Sequence, residues 1–414
     1  MVSLLITEIG KLTGLHAAET RVLRGREMSH FSCLDDAWLL CEGDRIHAYG
    51  PMSAMPKDLP SDVKVISAAG GYVFPSWCDS HSHIVYAAPR EEEFVMKIQG
   101  KSYEEIAAAG GGILNSALKM QSADENSLFE SAAGRLQDMI LQGTGALEIK
   151  SGYGLSPASE LKMLRVIRRL KESFPIPIKA SFLAAHTYPA AFKNNHEGYI
   201  RQIIEEMLPA VADQGLADYM DVFCEQGFFS PQETDQLLSA AAKFGLKPKI
   251  HANQLAVSGG VQVGVKHQAL SVDHLEALDA SAIDSLRNSD TIATLLPSCS
   301  FYLNIPYANA RGLMAADVAV ALASDYNPGS TPSGNMNLVV SLACIQLKML
   351  PEEAFNAATI NGAAALELSE EIGSITPGKK ANFFITRPMP GLAFLPYSFG
   401  QSQIKTIILN GKVW

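Results

Sequence analysis

"VFPSWCDSHSHIVYAAPREEEF", Val73 to Phe94, is the stretch whose reading decides the fold. An apolar, strand-like run ends in Asp79-Ser80-His81-Ser82-His83, and Arg90 follows seven positions after the second histidine. A strand has a side-chain period of two, so His81 and His83 point to one side and Ser82 to the other. Two imidazoles side by side on one face form a metal-ligand arrangement. Two half-exposed histidines at a strand end are the plainer reading of the same letters. What decides between them is whether other ligands arrive from elsewhere in the chain.

Outward from this stretch, apolar runs alternate with segments of helical period from Lys64 onward, the pattern of a parallel α/β fold. Eight strand candidates follow one another: 72–83, 145–152, 178–187, 219–227, 247–254, 270–276, 291–298 and 318–329. Helical stretches such as "ENSLFESAAGRLQDMILQG" and "SPQETDQLLSAAAKFG" lie between them. Eight strand–helix units in roughly 260 residues is the size of a TIM (β/α)8 barrel. The first 65 residues hold only short alternating segments, with "AWLLCEGDRIHAYGP" reading as two strands around a Gly-Asp turn. The tail, "GSITPGKKANFFITRP" and "QIKTIILNGKVW", is strand-like again. The expected organisation is therefore a distorted barrel over 66–371 beside a small β-sandwich domain built from both termini, 1–65 and 372–414.

Composition fits this. Apolar residues make up 47% and charged residues 18% of 414, as in an ordinary globular enzyme. The net charge of −10 argues against nucleic acid and anionic membrane surfaces as partners. Neither a signal peptide nor a membrane span is expected. Six scattered cysteines with no C-x-x-C pair point to free thiols in the cytoplasm.

In a barrel of this kind chemistry sits at the carboxyl ends of the strands. Of ten histidines, five fall at such ends: His81, His83, His186, His251 and His274. Core packing would scatter them along strands and helices alike. His81 and His83 from strand one, His251 from strand five and Asp325 from strand eight make an N₃O set suited to zinc or another borderline divalent metal. Such an ion lowers the pKa of a bound water from 15.7 to about 7, on the order of 12 kcal/mol of easier deprotonation. Glu225 at the end of strand four offers no bridging lysine, so one metal per chain is expected. Blander readings exist for single residues: Asp325 as a helix cap, Arg90 with its glutamates as a surface charge run, His186 as a core histidine, and Glu148 with Lys150 as a mutual pair.

With H-x-H on strand one, histidines on strands five and six and aspartate on strand eight, the chain resembles the amidohydrolase superfamily. The stretches "HIVYAAPREEEF", "EIKSGYGL", "FLAAHTYP", "KIHANQL", "SVDHLEAL" and "ASDYNPGSTPSGNMNL" narrow the resemblance to the branch that opens a cyclic amide, 4-imidazolone-5-propanoate, in histidine degradation. That resemblance implies one Zn²⁺ or Fe³⁺ ion held by His81, His83, His251 and Asp325. It implies that Arg90, Tyr103, Tyr153 and His186 hold an anionic small-molecule substrate, with Gln254, Asn327, Gly329 and Ser330 at its ring or product amide. It assigns proton handling to His274, Asp325 and Gln254, and it implies a homodimer. "HANQL" departs from relatives with glutamate in place of Gln254, which leaves the proton carrier open. A purine- or pyrimidine-type deaminase on the same site is the alternative, disfavoured because a neutral base needs no carboxylate clamp.

Overall fold

The computed structural model describes residues 3–58, 63–101, 105 and 111–414. Its strands are β1 (Ser3–Leu15), β2 (Ser32–Glu42), β3 (Arg45–Pro51), β4 (Lys64–Ser67), β5 (Tyr72–Pro75), β6 (Trp77–Asp79), β7 (Thr144–Lys150), β8 (Ile178–Ala185), β9 (Tyr219–Cys224), β10 (Lys247–Ala252), β11 (Ser271–His274), β12 (Ile292–Leu295), β13 (Val320–Leu322), β14 (Phe383–Thr386), β15 (Ile404–Leu409) and β16 (Lys412–Val413).

Strands β6 to β13 lie in sequence order, each parallel to the next. The seam between first and last closes just beyond β6 and β13. There the His83 N–H donates to the Tyr326 carbonyl at 2.8 Å, and the Asp325 N–H to the His81 carbonyl at 3.0 Å. The barrel is thus closed by the backbone of three of the four expected ligand residues. Its strands are buried on both faces, which is why they read as near-continuous apolar runs. The outer helices cover them. Glu125–Leu141 starts at Asp124, whose side chain accepts the N–H groups of Asn126 and Ser127, and it buries Leu128, Ala132, Leu136 and Met139 at helical spacing. Pro231–Ala242 begins with a capping box between Ser230 and Glu233.

The chain ends form a separate sheet in the order β16-β15-β14-β5-β1-β2-β3, with β4 beside β1. Its faces alternate as a pleat requires. Val73, Phe383, Ile385 and Ile408 join the cluster on one face, whereas Phe74, Phe384 and Ile407 pack into the barrel-side core. Phe74 stacks on Phe384 with centroids 5.5 Å apart, and Trp77 sits 5.1 Å from Phe384.

One expectation needs correction. The run 72–83 is not a single barrel strand. It breaks at Ser76, whose N–H donates to the Asn382 carbonyl in the terminal sheet at 3.1 Å; the next residue, Trp77, donates to the Gly143 carbonyl in the barrel at 2.9 Å. An unbroken apolar pattern records burial, and both partners bury it equally, so the change of partner leaves no mark in the letters.

Candidate active site

His81 and His83 follow β6, His251 lies in β10, and Asp325 follows β13. Their side chains converge. His81 Nε2 and His83 Nε2 are 3.2 Å apart, and His251 Nε2 is 3.4 Å from His83 Nε2. Asp325 Oδ1 is 3.5 Å from His81 Nε2 and 3.6 Å from His83 Nε2. Donors about 2.0–2.1 Å from a tetrahedral ion stand roughly 3.3–3.4 Å from one another. Four of the six separations among these atoms therefore already have the spacing of one cation's ligand shell, and the donor set suits a borderline metal.

Two of the three imidazoles, those of His81 and His251, are aimed from behind. His81 Nδ1 meets Asp273 Oδ2 at 2.6 Å, and His251 Nδ1 meets Asp221 Oδ2 at 3.0 Å. A carboxylate accepting the Nδ1 proton leaves the Nε2 lone pair for a cation. Burial holds His81 and His83 well below the usual histidine range, helped by Lys150 and His251 at His81 and by His251 and His186 at His83. Both are thus neutral donors. Burial pushes Asp221 upward, but His251 and Lys150 outweigh it and keep the carboxyl ionised.

These aspartates were not singled out from the sequence. They belong to a fully buried charge layer in which Lys150 Nζ bonds Asp221 Oδ2 at 2.7 Å, lies 3.6 Å from Asp273 Oδ2 and also bonds Glu148. Lys249 in turn bonds Glu148 and the Ser80 carbonyl, the latter at 3.0 Å. The signal was available. Five charges in the middle of parallel strands must be buried, and buried charges are kept only when paired. Glu148 and Lys150 do pair, but as part of this layer.

Above the four donors opens a cavity of about 420 Å³. Among its walls are Arg90, Tyr153, His186, Gln254, His274, Asn327, Gly329 and Ser330, so the expected substrate-side residues that are described do come together. Tyr103 lies outside the described residues. Arg90 donates through Nε and Nη2 to Glu93 at 2.8 and 2.6 Å, and Glu93 also accepts the Gly112 N–H at 2.9 Å. A Cβ at Gly329 would stand 2.3 Å from Arg90 Nη1, so only glycine lets the guanidinium lie there. Asn327 is spent on its own loop: Oδ1 accepts the N–H groups of Gly329 and Ser330, each at 2.8 Å, and Nδ2 donates to the Asp325 carbonyl and Ser330 Oγ. Ser330 Oγ in turn donates to Asp325 Oδ2 at 3.3 Å. Gln254 Nε2 donates to Cys299 Sγ at 3.5 Å.

The Tyr153 loop hangs on Glu160, which sequence reading passed over because it sits in the first turn of a helix and looks like dipole compensation. Its carboxylate accepts the N–H groups of Gly152, Gly154 and Leu155 at 3.1, 2.7 and 2.9 Å. His186 Nδ1 donates to the Gly152 carbonyl at 3.1 Å, and burial beside His251 lowers its pKa to about 3, so it is neutral. Gly152 has φ +107°, and a Cβ there would stand 2.9 Å from both His186 Nδ1 and the Leu183 carbonyl. Gly152→Ala is expected to destabilise the fold by about 1–3 kcal/mol and to raise KM, read by urea denaturation and steady-state kinetics.

The chain belongs to the amidohydrolase family, whose sequence profile matches residues 72–414. Within it the chain groups with imidazolonepropionases. It is 53% identical to the imidazolonepropionase of Christiangramia forsetii over 99% of this chain and 100% of that one. It is 51% identical to that of Flavobacterium johnsoniae over 99% of both. Among solved structures, Escherichia coli guanine deaminase superposes with a TM-score of 0.76 at 14% identity, covering 100% of this chain and 98% of that one. A zinc-bound adenosine deaminase from Xanthomonas campestris gives 0.71 at 16% identity, covering 99% and 92%. At such identities these two share the fold alone.

Proposed function

We propose that the protein hydrolyses the ring C–N bond of 4-imidazolone-5-propanoate to N-formimidoyl-L-glutamate, with one Zn²⁺ or Fe³⁺ ion per chain held by His81, His83, His251 and Asp325. The observation that carries the reading is the 53% identity over the whole chain to an imidazolonepropionase. The gathering of His81, His83 and His251, with Asp325 Oδ1 3.5 and 3.6 Å from the first two, beside a cavity walled by an arginine supports it. A single ion fits because Glu225 accepts the Gln226 and Leu255 N–H groups and Lys150 is held among carboxylates, so neither is placed to bridge a second.

A bound ion supplies Lewis acidity, easing deprotonation of water and polarising the ring carbonyl. The chain's own groups do the rest. Arg90 grips the propanoate; Tyr153 and His186 orient the ring. Asp325 accepts the proton of the attacking water and returns it to the departing ring nitrogen, while His274 handles a proton on the cavity side at Nε2. One water is consumed: a C–O bond forms as the ring C–N bond breaks. Action in the cytoplasm as a homodimer belongs to the same proposal. All six cysteines are free, as a reducing compartment allows, and no described helix is long and apolar enough to cross a membrane.

The test is to mix the protein with freshly made imidazolone propanoate and follow the loss of its ultraviolet absorbance, with and without a chelator. Loss of signal that the chelator stops is the expected result; guanine or adenosine turnover without imidazolone turnover overturns it. Arg90→Ala is expected to raise KM roughly 10–100-fold with a smaller change in kcat, since a hydrogen bond to a charged group is worth about 1.5–3 kcal/mol.

A further inference from the structure

The carboxylates around the site are nearly all committed. Asp221 and Asp273 stand behind imidazoles, and Glu148 lies between two lysines. Glu93, Glu160 and Glu225 are occupied by Arg90 and backbone N–H groups, and Asp79 by Ser324. Glu276 differs. Its side chain is 3% exposed, its Oε1 accepts from Ser300 Oγ at 3.1 Å, and its buried Oε2 has no hydrogen-bond partner. His274 Nδ1 is also buried without such a partner, and it lies 3.5 Å from that oxygen. The two unmatched atoms face each other, and closing the gap by a few tenths of an ångström makes a hydrogen bond. Contacts of this kind are often long in structures without substrate.

The backbone supports the pairing. His274 and Leu275 have φ of +86° and +67°, and two consecutive left-handed residues without glycine are strained. They turn the chain out of β11 so that the residue two places on returns to the ring. The site's other aimed imidazoles use the same device: Asp273 behind His81, Asp221 behind His251 and the Gly152 carbonyl behind His186. Residue 254 cannot do this work. Gln254 carries a neutral amide with no exchangeable charge, and its Nε2 is turned to Cys299.

We infer that Glu276 is a positioning residue: it accepts the Nδ1 proton of His274, fixes that ring's tautomer and rotation, and so presents Nε2 to the substrate. The inference rests on the proposed hydrolysis for its kinetic consequence, but not for its structural one. Partners of this kind typically contribute 10–100-fold. Glu276→Ala is therefore expected to lower kcat roughly 10–100-fold with KM changed by less than about threefold. Glu276→Gln keeps an acceptor oxygen and is expected to recover about tenfold of the loss.

The second readout needs no substrate. In zinc-loaded protein labelled with ¹⁵N-histidine, the His274 signal, assigned by its loss in His274→Asn, is expected to show the Nδ1–H form in the parent and in Glu276→Gln. A mixture of tautomers is expected in Glu276→Ala, with metal content unchanged. If the tautomer is identical in the parent and Glu276→Ala, the inference fails whatever the kinetics. If the tautomer moves and no variant, nor the parent, turns over imidazolone propanoate, the positioning role stands and the proposed reaction fails. An equal loss of kcat in the alanine and glutamine variants with an unmoved tautomer marks a merely structural residue.

Discussion

His251→Ala is expected to yield purified protein that keeps less than about a tenth of its metal and to lower turnover by roughly 10³–10⁴-fold, since a metal contributes several kcal/mol of transition-state stabilisation. The side chain supplies one of the three imidazole nitrogens that gather here, its Nε2 3.4 Å from His83 Nε2. Its removal also leaves Asp221 without the ring it orients at 3.0 Å, so a buried carboxylate loses one of its two cationic or polar partners. His47→Ala supplies the control, because that ring lies half-exposed in the terminal sheet. Elemental analysis after gel filtration, paired with the absorbance assay, checks the expectation. A full equivalent of metal with unchanged turnover in His251→Ala sinks the proposed site.

Lys150→Met is expected to reduce folding stability by about 3–5 kcal/mol, the usual consequence of removing one partner from a buried charge cluster. Lys150 is fully buried, and its ammonium compensates Glu148, Asp221 and Asp273 together. Methionine matches the stem but not the charge. The remaining Lys249 faces only Glu148 among these acids, so Asp221 and Asp273 are left to repel each other or to take up protons. Protonated aspartates no longer accept from His81 and His251, and metal affinity is expected to fall roughly 10–100-fold with stability. Chemical denaturation and metal titration read the two effects separately. Unchanged values in both would mean that the layer behind the imidazoles is dispensable.

The sequence exposed the parts of this molecule that are governed by local period and by position along a strand. Eight strand runs could be counted because parallel strands are apolar on both faces, and the histidines stood out because they ended those runs. What stayed hidden depends on partners far apart in the chain. The break at Ser76 is invisible because Val73–Pro75 and Trp77–Asp79 are equally buried by different sheets. Asp221 and Asp273 read as ordinary strand residues until His251 and His81 are seen beside them. Glu276 was within a quoted motif, yet only the left-handed turn at His274 and Leu275 brings it to the ring. Asn327 looked like a substrate contact, and its amide proves to be occupied by the loop that carries Ser330 to Asp325.

The switch at Ser76 also bears on how the molecule is made. Strand β5 is gripped by β14, and His81 follows only six residues after Pro75. Strand β14 is synthesised long after β5, with the whole barrel sequence between them, so the first expected ligands are tethered to a segment held on one side only, by β1, until β14 follows. Most of the barrel can assemble while the chain is still emerging, but β5 keeps one bare edge until residues 383–386 follow. Removing β14 is therefore expected to loosen, from a distance, the segment that carries His81 and His83.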